Sequence, residues 1–157
     1  MKKSKLITQA SIIASLYVVL TFVANAMGLA NGAVQIRLSE ALTILPFFTP
    51  AAIPGLFVGC LISNILVGGI IWDVIFGSLA TLIGAMGTYA MRKNKWLAPV
   101  APVVANTLIV PFVLIYAYGV EEALPYLMFT VGIGEFVSAG ILGMALLNSL
   151  EKHKGIF

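Results

Sequence analysis

The sequence predicts an all-α integral membrane protein, a bundle of six transmembrane helices in a single domain that covers residues 1–157. Three observations favour this fold class. Hydrophobic residues make up 61% of the chain and charged residues only 10%, whereas a soluble domain carries about 25% charged residues. The mean hydropathy is +1.06. The apolar residues also form long stretches, and a helix of about 20 such residues crosses a bilayer.

Turn residues, prolines and charges divide the chain into six apolar segments. The first segment is longer than the 7–15 residues of a signal-peptide core, so we interpret it as a retained helix. The second is short and is interrupted by Pro46, with Ser39 as its candidate N-cap. The predicted segments are Leu6–Met27, Glu40–Phe48, Ala51–Val67, Ile71–Met91, Trp96–Tyr118 and Ala123–Leu150.

The connection between the first two segments, Gly28–Arg37, ends in an alternating pattern. Hydrophobic and polar residues alternate over Val34–Leu38, which is typical of a strand. We therefore expect this outer loop to fold as a lid with some extended structure.

Basic residues lie in three clusters, and the positive-inside rule places all three in the cytoplasm. Four segments then precede the middle cluster and two follow it, so both termini are cytoplasmic and Glu121–Glu122 is outside. The net charge of +3 is therefore a topology signal, and nucleic-acid binding is not expected. The clusters are Lys2, Lys3 and Lys5; Arg92, Lys93 and Lys95; and Lys152 and Lys154.

The sequence lacks the residues that several kinds of chemistry require. No phosphate-binding P-loop pattern occurs, so the chain cannot bind ATP in that way. His153 is the single histidine and Cys60 the single cysteine, which argues against a metal cluster, a nucleophile–base pair and a disulfide. We predict that the chain is not an enzyme and has no cofactor of its own. The classes of membrane protein that remain are a carrier, a channel or a subunit.

Glu135 is the most informative polar residue. It lies about twelve residues into the last apolar segment, roughly 18 Å along a helix and near the middle of a bilayer. An ionisable group there costs on the order of 3 kcal/mol, so it usually faces protein at a ligand or ion site. The alternative is a buried structural bond to a neighbouring helix.

Most other polar residues of the spans cluster in the predicted outer half, which indicates a pocket open to the outside and formed mainly by helices three to six. Alternatives are interfacial anchoring for Asp73 and Tyr116, interhelical hydrogen bonds for Asn106 and Asn64, and an i,i+3 ion pair between Arg37 and Glu40. The predicted substrate-binding residues are Glu135, Asp73, Asn106, Trp72, Tyr116, Tyr118, Asn64, Arg37 and Glu40.

Small residues recur at helical spacing on three segments, and such faces let helices approach closely in lipid. We expect these faces to point into the bundle. They are Gly55 and Gly59 on the third segment; Asp73, Gly77, Ala80, Gly84 and Gly87 on the fourth; and Gly132, Glu135, Ala139 and Gly143 on the sixth.

The run Gln35–Pro46, continuing through Pro50 to Pro54 and Gly55, resembles the queuosine-precursor transporter family QueT. These proteins are substrate-binding S-components of energy-coupling factor (ECF) transporters. The resemblance extends over essentially the whole chain, including its length, its six segments and the small-residue motif Ala10-x-x-x-Ala14.

The resemblance implies a bacterial plasma membrane protein that binds its substrate from outside, beneath the loop between helices one and two. It implies docking on an ECF module of a transmembrane coupling protein and two ATPases, which hydrolyse the ATP. Ala10 and Ala14 would offer the coupling protein a close-packed groove.

The substrates that the resemblance implies are 7-deazaguanines, with a 7-cyano or a 7-aminomethyl group. A carboxylate can accept from the ring N–H and the neighbouring amino group together. Glu135 is the first candidate for this role and Asp73 the second, with Asn106 at the carbonyl edge. Aromatic side chains could stack on the base; the candidates are Trp72, Tyr116 and Tyr118.

Other functions remain open from the sequence. One is an S-component for another vitamin or heterocycle. Another is a membrane-embedded assembly subunit or a small channel. A channel needs a polar face on both sides of the midplane, and the inner half offers little beyond Ser138, Thr81 and Thr88, which disfavours it.

Overall fold

The computed structural model describes residues 3–30 and 33–153, and all regular elements in that part of the chain are helical. A π-helical segment, Phe136–Leu142, joins α5 and α6 into one continuous helix of 29 residues. The other elements are α1 (Lys3–Ala26), a 3-10 helix (Leu38–Phe47), α2 (Ala52–Leu66), α3 (Ile71–Ala90), α4 (Val100–Tyr118), α5 (Leu124–Glu135) and α6 (Gly143–Lys152).

The structure confirms the all-helical prediction, and each predicted apolar segment corresponds to one helical stretch. The largest boundary difference is at the fifth segment, where the helix begins at Val100 rather than Trp96. Ser39 does not cap the second helix, because Arg37 occupies the N-cap position and the hydroxyl of Thr21 donates to Ser39 Oγ at 3.0 Å.

Four helices are long and apolar enough to cross a membrane: α1, α3, α4 and the continuous helix Leu124–Lys152. The 3-10 helix and α2 are apolar but shorter. The chain therefore has the helices of a multi-pass membrane protein, while six complete spans and the cytoplasmic position of the termini stay predictions.

Helices α1 and α2 meet along a line of small residues, which we term the α1–α2 seam: Ala10 and Ala14 on α1, Gly55 and Gly59 on α2. A Cβ atom on Gly55 would lie 2.7 Å from the carbonyl oxygen of Ala10, and one on Gly59 would lie 2.9 Å from that of Ala14. The two predicted motifs therefore pack against each other. This corrects the expectation of a free groove at both alanines, because Ala14 is buried against α2.

The small face of α3 packs against the start of α4. A Cβ atom on Gly84 would lie 2.7 Å from Cα of Pro102, and one on Gly87 would collide with the side chain of Ala101. The sequence prediction that this face points into the bundle is therefore confirmed.

The described members of the three basic clusters lie at one end of the bundle. Lys95 pairs with Glu151 at 3.2 Å, which holds the α3–α4 connection against the last helix. Ala98 and Leu147 pack with Phe48, next to Thr49, whose hydroxyl donates to Gln9 of α1 at 3.0 Å. Lys2 and Lys154 lie outside the described residues.

Candidate functional site

The 3-10 helix carries Glu40 into the centre of the bundle, where the side chain is 0% exposed. The hydroxyl of Tyr17 on α1 donates to its carboxylate. Thr81 Oγ1 of α3 lies 3.4 Å from Glu40 Oε1, and Asn106 Nδ2 of α4 lies 3.4 Å from Oε2. Glu40 therefore connects the 3-10 helix with three neighbouring helices.

An ion pair between Arg37 and Glu40, the alternative to a binding role for these two residues, is not formed in the described part of the chain. Lys95–Glu151 is the ion pair found within residues 3–30 and 33–153. A separation of three residues describes neighbours on an α-helix, whereas Arg37 is the extended N-cap of a 3-10 helix and Glu40 turns inward.

Asn106 joins Glu40 to Glu135. Its Nδ2 donates to Glu40 Oε2 at 3.4 Å and to Glu135 Oε2 at 3.3 Å. We call Glu40, Asn106 and Glu135 the polar centre. The amide of Asn106 is engaged with two carboxylates and forms interhelical hydrogen bonds. Such bonds are the sequence-based alternative to a role at a substrate carbonyl.

Glu135 lies at the floor of a cavity of about 270 Å³. The residue is 5% exposed, and while Oε2 accepts from Asn106, Oε1 has no hydrogen bond to any described residue. The helix becomes π-helical directly after Glu135, and such segments are frequent at functional sites. The deep carboxylate thus faces protein and a cavity rather than lipid, as its position in the sequence predicts.

The cavity at Glu135, which we call the larger cavity, is formed by α4, α5 and the outer loop. Its lining is mixed, with a polar floor and mouth between apolar walls. The residues are Ala33, Gln35, Arg37, Val110, Leu114, Val120, Glu122, Tyr126, Leu127, Thr130, Val131 and Glu135.

The outer loop lies directly on the last helix. The carbonyl oxygen of Gln35 lies so close to Gly134 that a Cβ atom on residue 134 would collide with this oxygen. The backbone N–H of Arg37 donates to Ser138 Oγ at 3.0 Å. The loop has the predicted extended backbone, with φ −102° and ψ 99° at Arg37, although the described residues contain no β-strand.

Arg37 is half-buried and borders both this cavity and a smaller one. Its guanidinium makes no hydrogen bond or ion pair with the described residues, although carboxylates surround it. Burial lowers the pKa of Arg37, but the negative charge of Asp73 and those of Glu135 and Glu40 raise it, and the net pKa lies above its ordinary value. The site therefore holds a permanently charged set of hydrogen-bond donors.

The smaller cavity, of about 90 Å³, lies between α1, α2 and the start of α3. Asp73 and Asn64, two of the residues that the sequence analysis places in the outer half, line it. The hydroxyl of Tyr118 donates to Asp73 Oδ2 at 2.8 Å and so ties α4 to α3. Tyr118 has a structural partner here, and its predicted stacking role is untested.

Trp72 and Tyr116 lie elsewhere. They are 55% and 82% exposed and line an apolar groove of about 520 Å³ on the outside of α3 and α4. Trp72 stacks on Phe76 and Tyr116 on Phe112. The structure does not bring either aromatic ring to the cavity at Glu135.

Sequence reasoning missed Tyr17, Gln35 and Thr130. Tyr17 is buried on α1, outside the helices assigned to the pocket, although a tyrosine in the middle of an apolar span needs a partner for its hydroxyl. Gln35 borders both cavities, and Thr130 lines the larger one. Nothing in the local sequence distinguishes these two residues from ordinary loop and helix polar residues.

Comparison with known proteins identifies relatives. The family described as QueT transporter matches residues 7–152. A curated protein named Queuosine precursor transporter QueT, from Lactococcus lactis subsp. cremoris (strain MG1363), is 42% identical over 86 residues, covering 53% of this chain and 50% of that protein. The match thus spans about half the length of this relative. No solved structure matches. Because the family match covers nearly the whole sequence, the chain belongs to the QueT transporter family.

Proposed function

We propose that this chain is the substrate-binding membrane subunit, or S-component, of an ECF importer, and that it takes up a queuosine precursor of the 7-deazaguanine class. The family and the printed name of the relative support the substrate class. The observation that carries the proposal is the cavity between Glu135 and Arg37, at the end of the bundle opposite the basic clusters.

The two charged groups match a guanine-like edge. Such an edge presents an N–H and an amino group side by side, next to a carbonyl oxygen. Among the described residues Glu135 Oε1 has no hydrogen-bond partner and can accept from the two donors, while the guanidinium of Arg37, which has none there either, can donate to the carbonyl. Arg37 takes the carbonyl role because the amide of Asn106 is already engaged.

The size of the cavity supports a small ligand. Pockets for drug-sized molecules measure about 300–1,000 Å³, and this one measures about 270 Å³. The cavity lies just below that range, which suits a planar bicyclic base, whereas a nucleoside with its sugar would require the outer loop to move away from Gly134.

ATP hydrolysis then belongs to partner subunits of the ECF module, as this chain has no P-loop sequence. Ala10 remains half-buried at an open groove that it shares with Ile7 and Pro54, at the end where the basic clusters lie. This groove is our candidate contact for the coupling protein, in place of the buried Ala14.

Calorimetry on the detergent-solubilised protein tests the substrate class. Both the 7-cyano and the 7-aminomethyl compound should bind. Glu135→Gln should lower the affinity for either about tenfold, because it sets a donor against the donors of the ring. An analogue without the amino group should lose a similar factor against the wild type and much less against Glu135→Gln.

Glu121→Gln is the matched control, since Glu121 is an exposed carboxylate that lines neither cavity. It should leave all affinities within about twofold. If the losses from Glu135→Gln and from the missing amino group simply add, Glu135 does not contact that group, and the assignment of the carboxylate is wrong.

Single cysteines test the proposed orientation. In a Cys60→Ala background, cysteines at Ser4 and Asn94 should be shielded from an impermeant reagent added to intact cells, and a cysteine at Val120 should react. Reaction at Asn94 would contradict cytoplasmic placement of the α3–α4 connection.

A further inference from the structure

The two cavities adjoin across the outer loop, since Gln35 and Arg37 border both of them. The smaller cavity, of about 90 Å³, has room for about three water molecules at roughly 30 Å³ each, so it cannot hold a bicyclic ring. It has room for a short substituent that projects from a ring in the larger cavity.

Two acceptor oxygens at the smaller cavity, one on Asn64 and one on Asp73, receive no hydrogen bond from the described residues, while Asp73 Oδ2 accepts from Tyr118. Asn64 is 8% exposed, and its Oδ1 has no hydrogen bond to any residue in the described part of the chain. The carboxylate of Asp73 lies beside it. A Cβ atom on Gly77 would lie 3.1 Å from Asp73 Oδ1 and 3.2 Å from Asn64 Nδ2, so the missing side chain of Gly77 keeps this space open.

The charges around the two cavities are unbalanced. Arg37 is the cationic side chain among the described lining residues; of the anionic ones, Asp73 is half-buried and Glu135 is buried, whereas Glu122 is exposed to solvent. Glu40 adds a carboxylate directly behind Asn106. Carboxyl groups away from water are expensive to ionise, and a cationic ligand offsets that cost where a neutral one cannot.

We propose that the ligand carries a positively charged amine, which Asp73 and Asn64 bind in the smaller cavity while its ring lies in the larger one. This inference rests on the proposed function, and it selects the 7-aminomethyl over the 7-cyano compound. An ammonium group donates three hydrogen bonds and suits a carboxylate and an amide oxygen, whereas a nitrile is only an acceptor.

Competition calorimetry with the two compounds on the full chain in detergent tests this inference. The wild type should bind the 7-aminomethyl compound about tenfold more tightly than the 7-cyano compound. Asp73→Asn keeps the shape and an acceptor for Tyr118 but removes the charge. It should lower affinity for the aminomethyl compound about tenfold and leave that for the cyano compound within about twofold.

Glu121→Gln again serves as the control for loss of a negative charge at the same end of the molecule, and it should not change the preference. A wild type that prefers the cyano compound would overturn the inference and assign the substituent to Arg37. Equal losses for both compounds in Asp73→Asn would also overturn it, because Asp73 would then only support the fold. Failure of both compounds to bind would contradict the proposed function itself.

Discussion

The α1–α2 seam and the polar centre hold neighbouring helices together in opposite ways. Along the seam, backbone atoms approach so closely that a single added Cβ on Gly55 or Gly59 would lie within 3 Å of α1. In the polar centre, Glu40, Asn106 and Glu135 connect elements through side-chain hydrogen bonds. In lipid the seam gains from close packing, whereas buried carboxylates cost free energy and persist where function requires them.

The bond lengths add to this contrast. Charge-assisted N–H to carboxylate bonds are usually about 2.7–2.9 Å long. The bonds from Asn106 to the two carboxylates measure 3.4 and 3.3 Å. The amide therefore lies between its two partners without a close contact to either, whereas the helices at the seam are in direct contact.

Gly59→Ala should have the largest effect of the substitutions that test this contrast. Its Cβ would lie 2.8 Å from Cβ of Tyr17 and 2.9 Å from the carbonyl oxygen of Ala14, so α1 and α2 must move apart. We expect a loss of about 3 kcal/mol and a fall in the thermal midpoint of roughly 10 °C. Thermal unfolding in detergent measures it.

Gly132→Ala is the control for this variant, because its Cβ would meet Thr107 Oγ1 at 3.4 Å, an ordinary contact. It should be neutral or stabilising, since alanine is about 1 kcal/mol better than glycine inside a helix. If both variants lose the same stability, the seam is no tighter than the rest of the bundle.

Glu40→Leu should have the next largest effect, on stability. It removes the acceptor from Tyr17 and Asn106, whose donors stay buried, and should cost about 2 kcal/mol. Glu40→Gln retains one acceptor oxygen and also removes the desolvation penalty of a buried charge. It should therefore lower the free energy of unfolding by less than about 1 kcal/mol. Thermal unfolding of both variants decides whether the oxygen or the charge holds the polar centre; equal losses would favour the charge.

Asn106→Leu should affect ligand affinity more than folding. Without the amide, Glu135 loses its one hydrogen-bond donor among the described residues and is no longer held at the cavity floor. We expect affinity for a deazaguanine to fall about tenfold by calorimetry. Thr107→Val is the control on the same helix, because the buried Thr107 hydroxyl has no hydrogen-bond partner among the described residues and its removal should cost nothing. An unchanged affinity in Asn106→Leu would separate the polar centre from binding.

The sequence predicted features that depend on composition or on the spacing of residues along one helix. It did not predict features that depend on contacts between residues far apart in the chain. That Glu135 is buried follows from its place inside a long apolar segment. The role of Glu40 does not follow from its neighbours, because its partners Tyr17 and Asn106 are 23 and 66 residues away. Likewise the spacing of Ala10 and Ala14 predicts a close helix contact, but the identity of the contacting helix, α2, is a property of the tertiary fold.

The second segment shows the same limit within one element. Pro46 and the flanking prolines predicted a short, irregular helix, and the structure has one. That the helix is of the 3-10 type, with Glu40 directed at α1 and α4, depends on the helices around it. A long 3-10 stretch is uncommon and is often found at functional positions.

The smallest effect should come from the aromatic residues that the sequence placed at the site. Trp72→Ala and Tyr116→Ala remove aromatic side chains from the outer groove, which neither cavity shares. Calorimetry should give deazaguanine affinities within about twofold of the wild type. Stacking on a base by an aromatic side chain is worth about 1–3 kcal/mol by alanine substitution, so a true stacking partner would show a loss of about fivefold or more. Such a loss for either variant would move the binding site to the outer groove of α3 and α4, and the polar centre would then be a structural contact like the seam.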